Sequence, residues 1–105
     1  MPRLNKSIIA TGAVILLAGT AQAAEIKVDI QGFKFKPAVI NVAVGDTVTF
    51  TNRDGAPHTA TAVNGSFETG TLGKGKSNSI AFDSAGTYAI FCAIHPAMKA
   101  TVVVK

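Results

Sequence analysis

The chain has 105 residues, a formal net charge of +4 and 48% hydrophobic residues. That length holds one domain with a small core, and its single cysteine excludes an internal disulfide as a staple. The lysines are scattered among small and apolar residues without a basic run, so a nucleic-acid partner is not expected.

Residues 1–23 read as a cleavable secretory signal peptide. Arg3 and Lys6 precede a mostly apolar run from Ile8 to Leu17, and Ala21 and Ala23 occupy the small-residue positions of an A-x-A cleavage site. Thr11, Gly12, Gly19 and Thr20 interrupt the segment, which falls short of the ~20 apolar residues a spanning helix needs. Cleavage after Ala23 leaves residues 24–105 as the mature domain, with no membrane span and with eight basic residues against six acidic ones. Export places that domain in an oxidising compartment, where a lone thiol is buried, paired between chains, or held by a metal.

After residue 24 the hydrophobic pattern has period two, the period of half-buried strands. In "EIKVDI" Ile26, Val28 and Ile30 alternate with Glu25, Lys27 and Asp29. "GFKFKP" sets Phe33 and Phe35 on one face, with Lys34 and Lys36 on the other, and stops at Pro37. In "VINVAVGDTVTFTN" Ile40, Val42 and Val44 alternate, the chain turns at Gly45-Asp46, and Val48 and Phe50 point inward against Thr47, Thr49 and Thr51. The polar loop "RDGAP" leads into "HTATAV", read as a strand with His58, Ala60 and Ala62 on one face. A Gly-rich connection from 64 to 78 has Phe67 and Leu72 as its anchors. "SIAF" follows, then "TYAIFC" with Tyr88, Ile90 and Cys92 on one face, and finally "ATVVVK", where Met98, Ala100, Val102 and Val104 share one parity. About seven short strands separated by turn signals predict an all-β, antiparallel Greek-key sandwich or barrel.

The stretch "FCAIHPAMK" gathers the only cysteine, one of two histidines and the only methionine besides Met1. Cys92 ends a strand, Met98 begins the next, and His95 lies between them. Three extended residues span only ~10 Å, so a tight loop can bring the Cys92 sulfur and the His95 ring to one ion. His58, at a strand start after a Pro-containing loop, can face the same end of a sandwich. Two imidazoles, a thiolate and a weak axial thioether form the ligand set of blue-copper electron-transfer sites. Taken singly, a strand cysteine is more often a small core residue and a methionine gap filler; the spacing sets this cluster apart. Zinc is the less suited ion, because its sites use Cys, His and carboxylates rather than Met.

"GFKFKP", "VAVGDTVTFTN", "APHTA" and "GTYAIFCAIHPAMKATVVVK" resemble the cupredoxins of the plastocyanin and azurin group. The Cys-x2-His-x2-Met spacing is that of amicyanin. The resemblance covers nearly all of residues 24–105. It implies a cupredoxin-like β-sandwich binding one type 1 copper ion through His58, Cys92, His95 and, axially, Met98. It further implies a periplasmic electron carrier, not an enzyme, whose exposed His95 passes electrons inside the apolar patch of Ala93, Ile94, Pro96 and Ala97. Redox proteins dock on such a patch transiently, with a monomeric carrier; Arg53 and Lys99 are the nearest charges for steering an acidic one. The other reading is a periplasmic copper-trafficking protein, less suited because such sites favour exchangeable Met- and His-rich surfaces.

The sequence also departs from that family. Ile94 stands where proline is common, and its N–H is expected to donate to the Cys92 sulfur. Thr59 and Ala93 replace an Asn and a Ser or Thr whose side chains tie the two ligand loops together, so that tie is expected to be missing unless Asn52 supplies it.

Overall fold

The computed structural model describes residues 22–105, so the expected leader lies outside the described residues except for Gln22 and Ala23. Eight strands follow: β1 (Glu25–Ile30), β2 (Phe35–Lys36), β3 (Val39–Val42), β4 (Thr47–Asn52), β5 (Thr61–Ala62), β6 (Ser77–Ala81), β7 (Gly86–Phe91) and β8 (Lys99–Val104). They form two four-stranded sheets, ordered β2-β1-β4-β6 and β3-β8-β7-β5.

Alternation in the sequence becomes alternation in burial. Val28, Ile30, Val48 and Phe50 from the first sheet meet Ile40, Ile90, Val102 and Val104 from the second, and all are 5% exposed or less. Burying each such side chain contributes about 1.5–3 kcal/mol. Leu72 is buried as anticipated, and Phe67 packs edge-on to Phe82 at 5.1 Å in a small aromatic group with Tyr88.

Four details differ from the pattern reading. First, two pairings are parallel, β1 with β4 and β3 with β8. A period of two marks a half-buried strand but carries no direction, and the chain crosses between sheets after the short β2 and again after β3. Second, Val44 is 50% exposed: it lies beyond the end of β3, and although its N–H still bonds the Lys105 carbonyl at 3.3 Å, its side chain is outside the core. Third, the strand expected from His58 exists only at Thr61–Ala62; His58 itself makes one isolated bridge with Leu72. Fourth, Phe33 is not inward beside Phe35: it is 48% exposed with φ 58° at the tip of the β1–β2 hairpin.

Strand polarity gathers the loops. β1 and β4 run side by side and finish together at Ile30 and Asn52, while Phe91 at the end of β7 pairs with Lys99 at the start of β8. The tip 31–34, the loop 53–58 and the loop 92–98 therefore meet at one end of the sandwich. The other end is closed by Asp46, 8% exposed, whose carboxylate accepts the N–H of Ala24 at 2.9 Å and of Ala43 at 3.0 Å.

Replacing Asp46 by Ala leaves both amides without that acceptor, at a cost of about 1–3 kcal/mol. The thermal midpoint should fall by roughly 4–8 °C per kcal/mol, with no change at the far end of the molecule. A midpoint equal to that of the parent protein would show that the carboxylate carries no weight.

Candidate metal centre

The loop bearing His58 is built on Asn52. Fully buried at the end of β4, its Nδ2 donates to the carbonyls of Ala56 and Leu72, each at 2.8 Å, and its Oδ1 accepts the Asp54 N–H at 2.8 Å. Both donors of the amide are thus used, and the five-residue excursion to Pro57 has one conformation to return from. Asn52 shapes this loop and does not reach the cysteine loop. His58 then enters the interior with its side chain fully buried, and its Nε2 lies 2.9 Å from Asp54 Oδ2. A carboxylate on the outer nitrogen fixes the ring plane and directs Nδ1 inward.

The second loop is narrow. Cys92 N–H donates to the Met98 carbonyl at 3.1 Å, His95 N–H to the Cys92 carbonyl at 3.2 Å, and Met98 N–H to the His95 carbonyl at 2.9 Å. Consecutive turns thus compress residues 92–98 between β7 and β8. Cys92 is completely buried and Met98 nearly so, whereas His95 is half-buried.

The two loops bring the donors together. Cys92 Sγ lies 3.8 Å from His58 Nδ1 and 3.6 Å from His95 Nδ1, and the three donor atoms all fall within 4.8 Å of one another. Donors standing ~2.0–2.3 Å from one ion in a trigonal plane are themselves separated by about 3.5–4 Å. The spacing therefore fits a single ion, and His, His and Cys with Met98 on the far arm of the loop is the donor set suited to copper.

Thr59 joins the loops. Its backbone N–H donates to Cys92 Sγ at 3.3 Å, and its Oγ1 accepts the Ala93 N–H at 2.8 Å. This overturns two expectations. The inter-loop tie is present, built with the hydroxyl on the histidine side and a backbone amide on the cysteine side. Moreover, the loop amide that bonds the sulfur across the site belongs to Thr59, not Ile94, whose side chain is exposed. Ile94 turns outward where the chain folds back from Cys92 to place the His95 ring, and its N–H is not among the sulfur's donors.

Two titrations reflect this geometry. Burial pushes the Cys92 thiol up, but the Thr59 N–H, the two histidine rings and the His95 N–H outweigh it and hold the thiol at about 6, so the thiolate is favoured in the metal-free site. The N–H groups of Phe33 and Gly32, then His58, hold the Asp54 carboxyl below its usual range. Because that carboxyl is lowered in the folded chain, its contribution is complete at neutral pH and is lost only as pH falls through the lowered value.

Thr59→Val keeps the N–H on sulfur but leaves the part-buried Ala93 N–H without its acceptor. The expected cost is about 0.5–1.5 kcal/mol in thermal or urea unfolding of the metal-free protein, with the Cys92 titration, followed by thiolate absorbance, staying near its parent value. An unchanged stability would remove Thr59 Oγ1 as the link between loops.

Comparison with known proteins agrees with this construction. The family profile of the cupredoxin-like domain matches residues 7–104. An amicyanin from Paracoccus denitrificans is 36% identical over 111 residues, spanning 96% of this chain and 80% of that protein. A chloroplastic plastocyanin from Physcomitrium patens is 34% identical, spanning 97% and 70% respectively. Among solved structures, a single-residue mutant of amicyanin in its Cu(I) form superposes with a TM-score of 0.73 at 39% identity, covering 84% of this chain and 88% of its own. With an all-β sandwich that places two imidazoles and a thiolate around one point, this chain belongs to the cupredoxin family, whose cofactor is copper.

Proposed function

We propose that the chain is an exported one-electron carrier, held in the periplasm after removal of residues 1–23, in which His58, Cys92 and His95 are the equatorial ligands of one copper ion and Met98 the axial one. The observation that carries this reading is the prearranged triangle of His58, Cys92 and His95 donor atoms. Copper held there supplies a Cu(II)/Cu(I) couple. The residues supply the rest: Cys92 is ionised near neutrality, His58 is locked by Asp54, and both are sealed from water. A buried site whose ligands are held by hydrogen bonds suits electron transfer better than bond making. Both histidines of the chain lie in this one cluster, which leaves none for a second, substrate-binding centre and favours a carrier over an enzyme.

His95 is the exit. It alone of the four side chains is partly exposed, and Ala93, Ile94, Pro96 and Ala97 around it are all exposed and uncharged. A partner meeting a monomer on that patch desolvates no ion pair and leaves quickly. Steering falls to Lys99, as expected, together with further lysines. Arg53 is engaged with Asp29 at 3.3 Å, whereas Lys34 at the hairpin tip, Lys74 and Lys76 in the loop hydrogen-bonded to Asn52, and Lys99 at the start of β8 are exposed around the same end. Glu68 stands on the flank beside Thr61. This distribution suits an acidic redox partner.

Removal of residues 1–23 is compatible with the far end of the fold. Cleavage after Ala23 would turn the Ala24 amide, 2.9 Å from Asp46 Oδ1, into an ammonium facing that carboxylate.

The competing reading is copper trafficking. Cu(II) added to residues 24–105 should give an intense blue colour at one equivalent and a reversible one-electron wave, both lost in Cys92→Ser. Tight Cu(I) binding without colour or reversible cycling would favour trafficking instead. For the steering charges, oxidation of the reduced protein by hexacyanoferrate(III), a multiply charged anion, should slow as salt screens the lysines. Lys34→Glu combined with Lys99→Glu should slow it at low salt and flatten the salt dependence. Equal rates for parent and double variant at low salt would remove the lysines from the docking surface.

A further inference from the structure

Phe33 sits where an aromatic side chain is least expected. Gln31 and Lys34 close a two-residue hairpin turn by reciprocal backbone bonds of 2.9 and 3.2 Å, and the two central residues have φ of 65° (Gly32) and 58° (Phe33). Turns of this shape require positive φ at both positions and are served by Gly, Asn or Asp. Among the described residues Phe33 is the one non-glycine in that region, and for a bulky L side chain the conformation is strained. Such strain persists where the surroundings over-determine it, commonly at functional sites. Core burial does not account for it, since Phe33 is 48% exposed.

The surroundings are the metal centre. Asp54 accepts the N–H of Gly32 at 2.8 Å through Oδ1 and of Phe33 at 2.9 Å through Oδ2, the same oxygen that faces His58 Nε2. The carboxylate that orients His58 thus also holds the strained turn. The Phe33 ring then meets the His58 ring edge-on at 4.9 Å and 89°, and the His95 ring at 4.8 Å and 77°. The two histidine rings are themselves 5.0 Å apart at 62°, so three rings are mutually in contact. The histidines are otherwise held unequally. His58 has Asp54 on its outer nitrogen, whereas His95, on the exposed loop, makes its one side-chain hydrogen-bond contact among the described residues through Nδ1, to Cys92 Sγ.

We infer that Phe33 is a positioning residue of the copper site: its ring, held over the two imidazoles by the Asp54-clamped left-handed turn, fixes the plane of His95 as Asp54 fixes that of His58. Edge-on aromatic contacts are directional, and a ring wedged against both imidazoles resists rotation of either about its Cβ–Cγ bond. The strained backbone is what lets a side chain at a hairpin tip fold back over the site. The inference rests on the assignment of His58 and His95 as copper ligands.

Phe33→Gly separates the two roles, because glycine suits the backbone and removes the ring. Metal-free Phe33→Gly should unfold at the same or a higher temperature than the parent, while NMR of the metal-free protein shows the His95 side chain averaging over rotamers that the parent does not sample. The copper-loaded variant should show altered visible band ratios and slower electron self-exchange. Phe33→Leu, which keeps bulk without the ring edge, should fall between the two. If Phe33→Gly lowers stability while the His95 rotamer, spectrum and exchange rate match the parent, Phe33 is a turn residue that merely packs, and the inference is overturned. The metal-free NMR comparison stands even if the parent protein proves not to bind copper, so the two failures are distinguishable.

Discussion

The contacts between Thr59 and the cysteine loop are what the rest of the site depends on. His58 follows β4 of one sheet and Cys92 follows β7 of the other, so the metal centre spans the two layers of the sandwich. Packing brings the layers to about 10 Å, which does not by itself set an imidazole nitrogen less than 4 Å from a sulfur. Two hydrogen bonds from one residue supply that registration: Thr59 N–H on Cys92 Sγ and Ala93 N–H on Thr59 Oγ1. The first also favours the thiolate against the cost of burying it. One threonine therefore contributes to both the geometry and the ionisation of the site.

Around that tie the two histidines are held in different ways, and the difference matches what an electron carrier requires. His58 is interior, backed by Asp54 and by a loop anchored on the fully satisfied Asn52. His95 is at the surface, on a loop made narrow by three backbone hydrogen bonds. A rigid interior ligand limits reorganisation, and a surface ligand shortens the path to a partner. On the proposed carrier reading, the apolar rim around His95 and the lysines further out would divide docking between contact and long-range attraction, which act on different distance scales.

Much of this was legible in the sequence. The parity of Val28, Ile30, Val48, Phe50, Val102 and Val104 gave the core because alternation maps directly onto sheet faces. The Cys92, His95 and Met98 spacing pointed to three of the four candidate donors because short separations bound distances whatever the fold. What escaped were features set by tertiary contact. Parallel pairing of β1 with β4 leaves no mark on period. Phe33 looked like a core alternation partner of Phe35, and only the positive φ at the hairpin tip sends it to the metal end; the adjacent Gly32 was the available signal of a tight turn there. At Thr59 the sequence shows only the loss of an amide side chain; that its hydroxyl crosses to the Ala93 N–H is a product of the fold. Arg53, near the site in sequence, is occupied by Asp29 from the neighbouring strand, a pairing that follows from the β1–β4 register and not from local sequence.

The hydrogen bonds through Thr59 join the loops before any metal arrives. The most direct measurement is amide hydrogen exchange at Thr59 and Ala93 in the metal-free protein. Protection comparable to that of central strand amides such as those of Val48 and Val102, in the parent chain without copper, is the result expected from the hydrogen bonds described. Exchange at the rate of an open loop, slowing to strand levels only when copper is added, would mean that the ion and not Thr59 assembles the site.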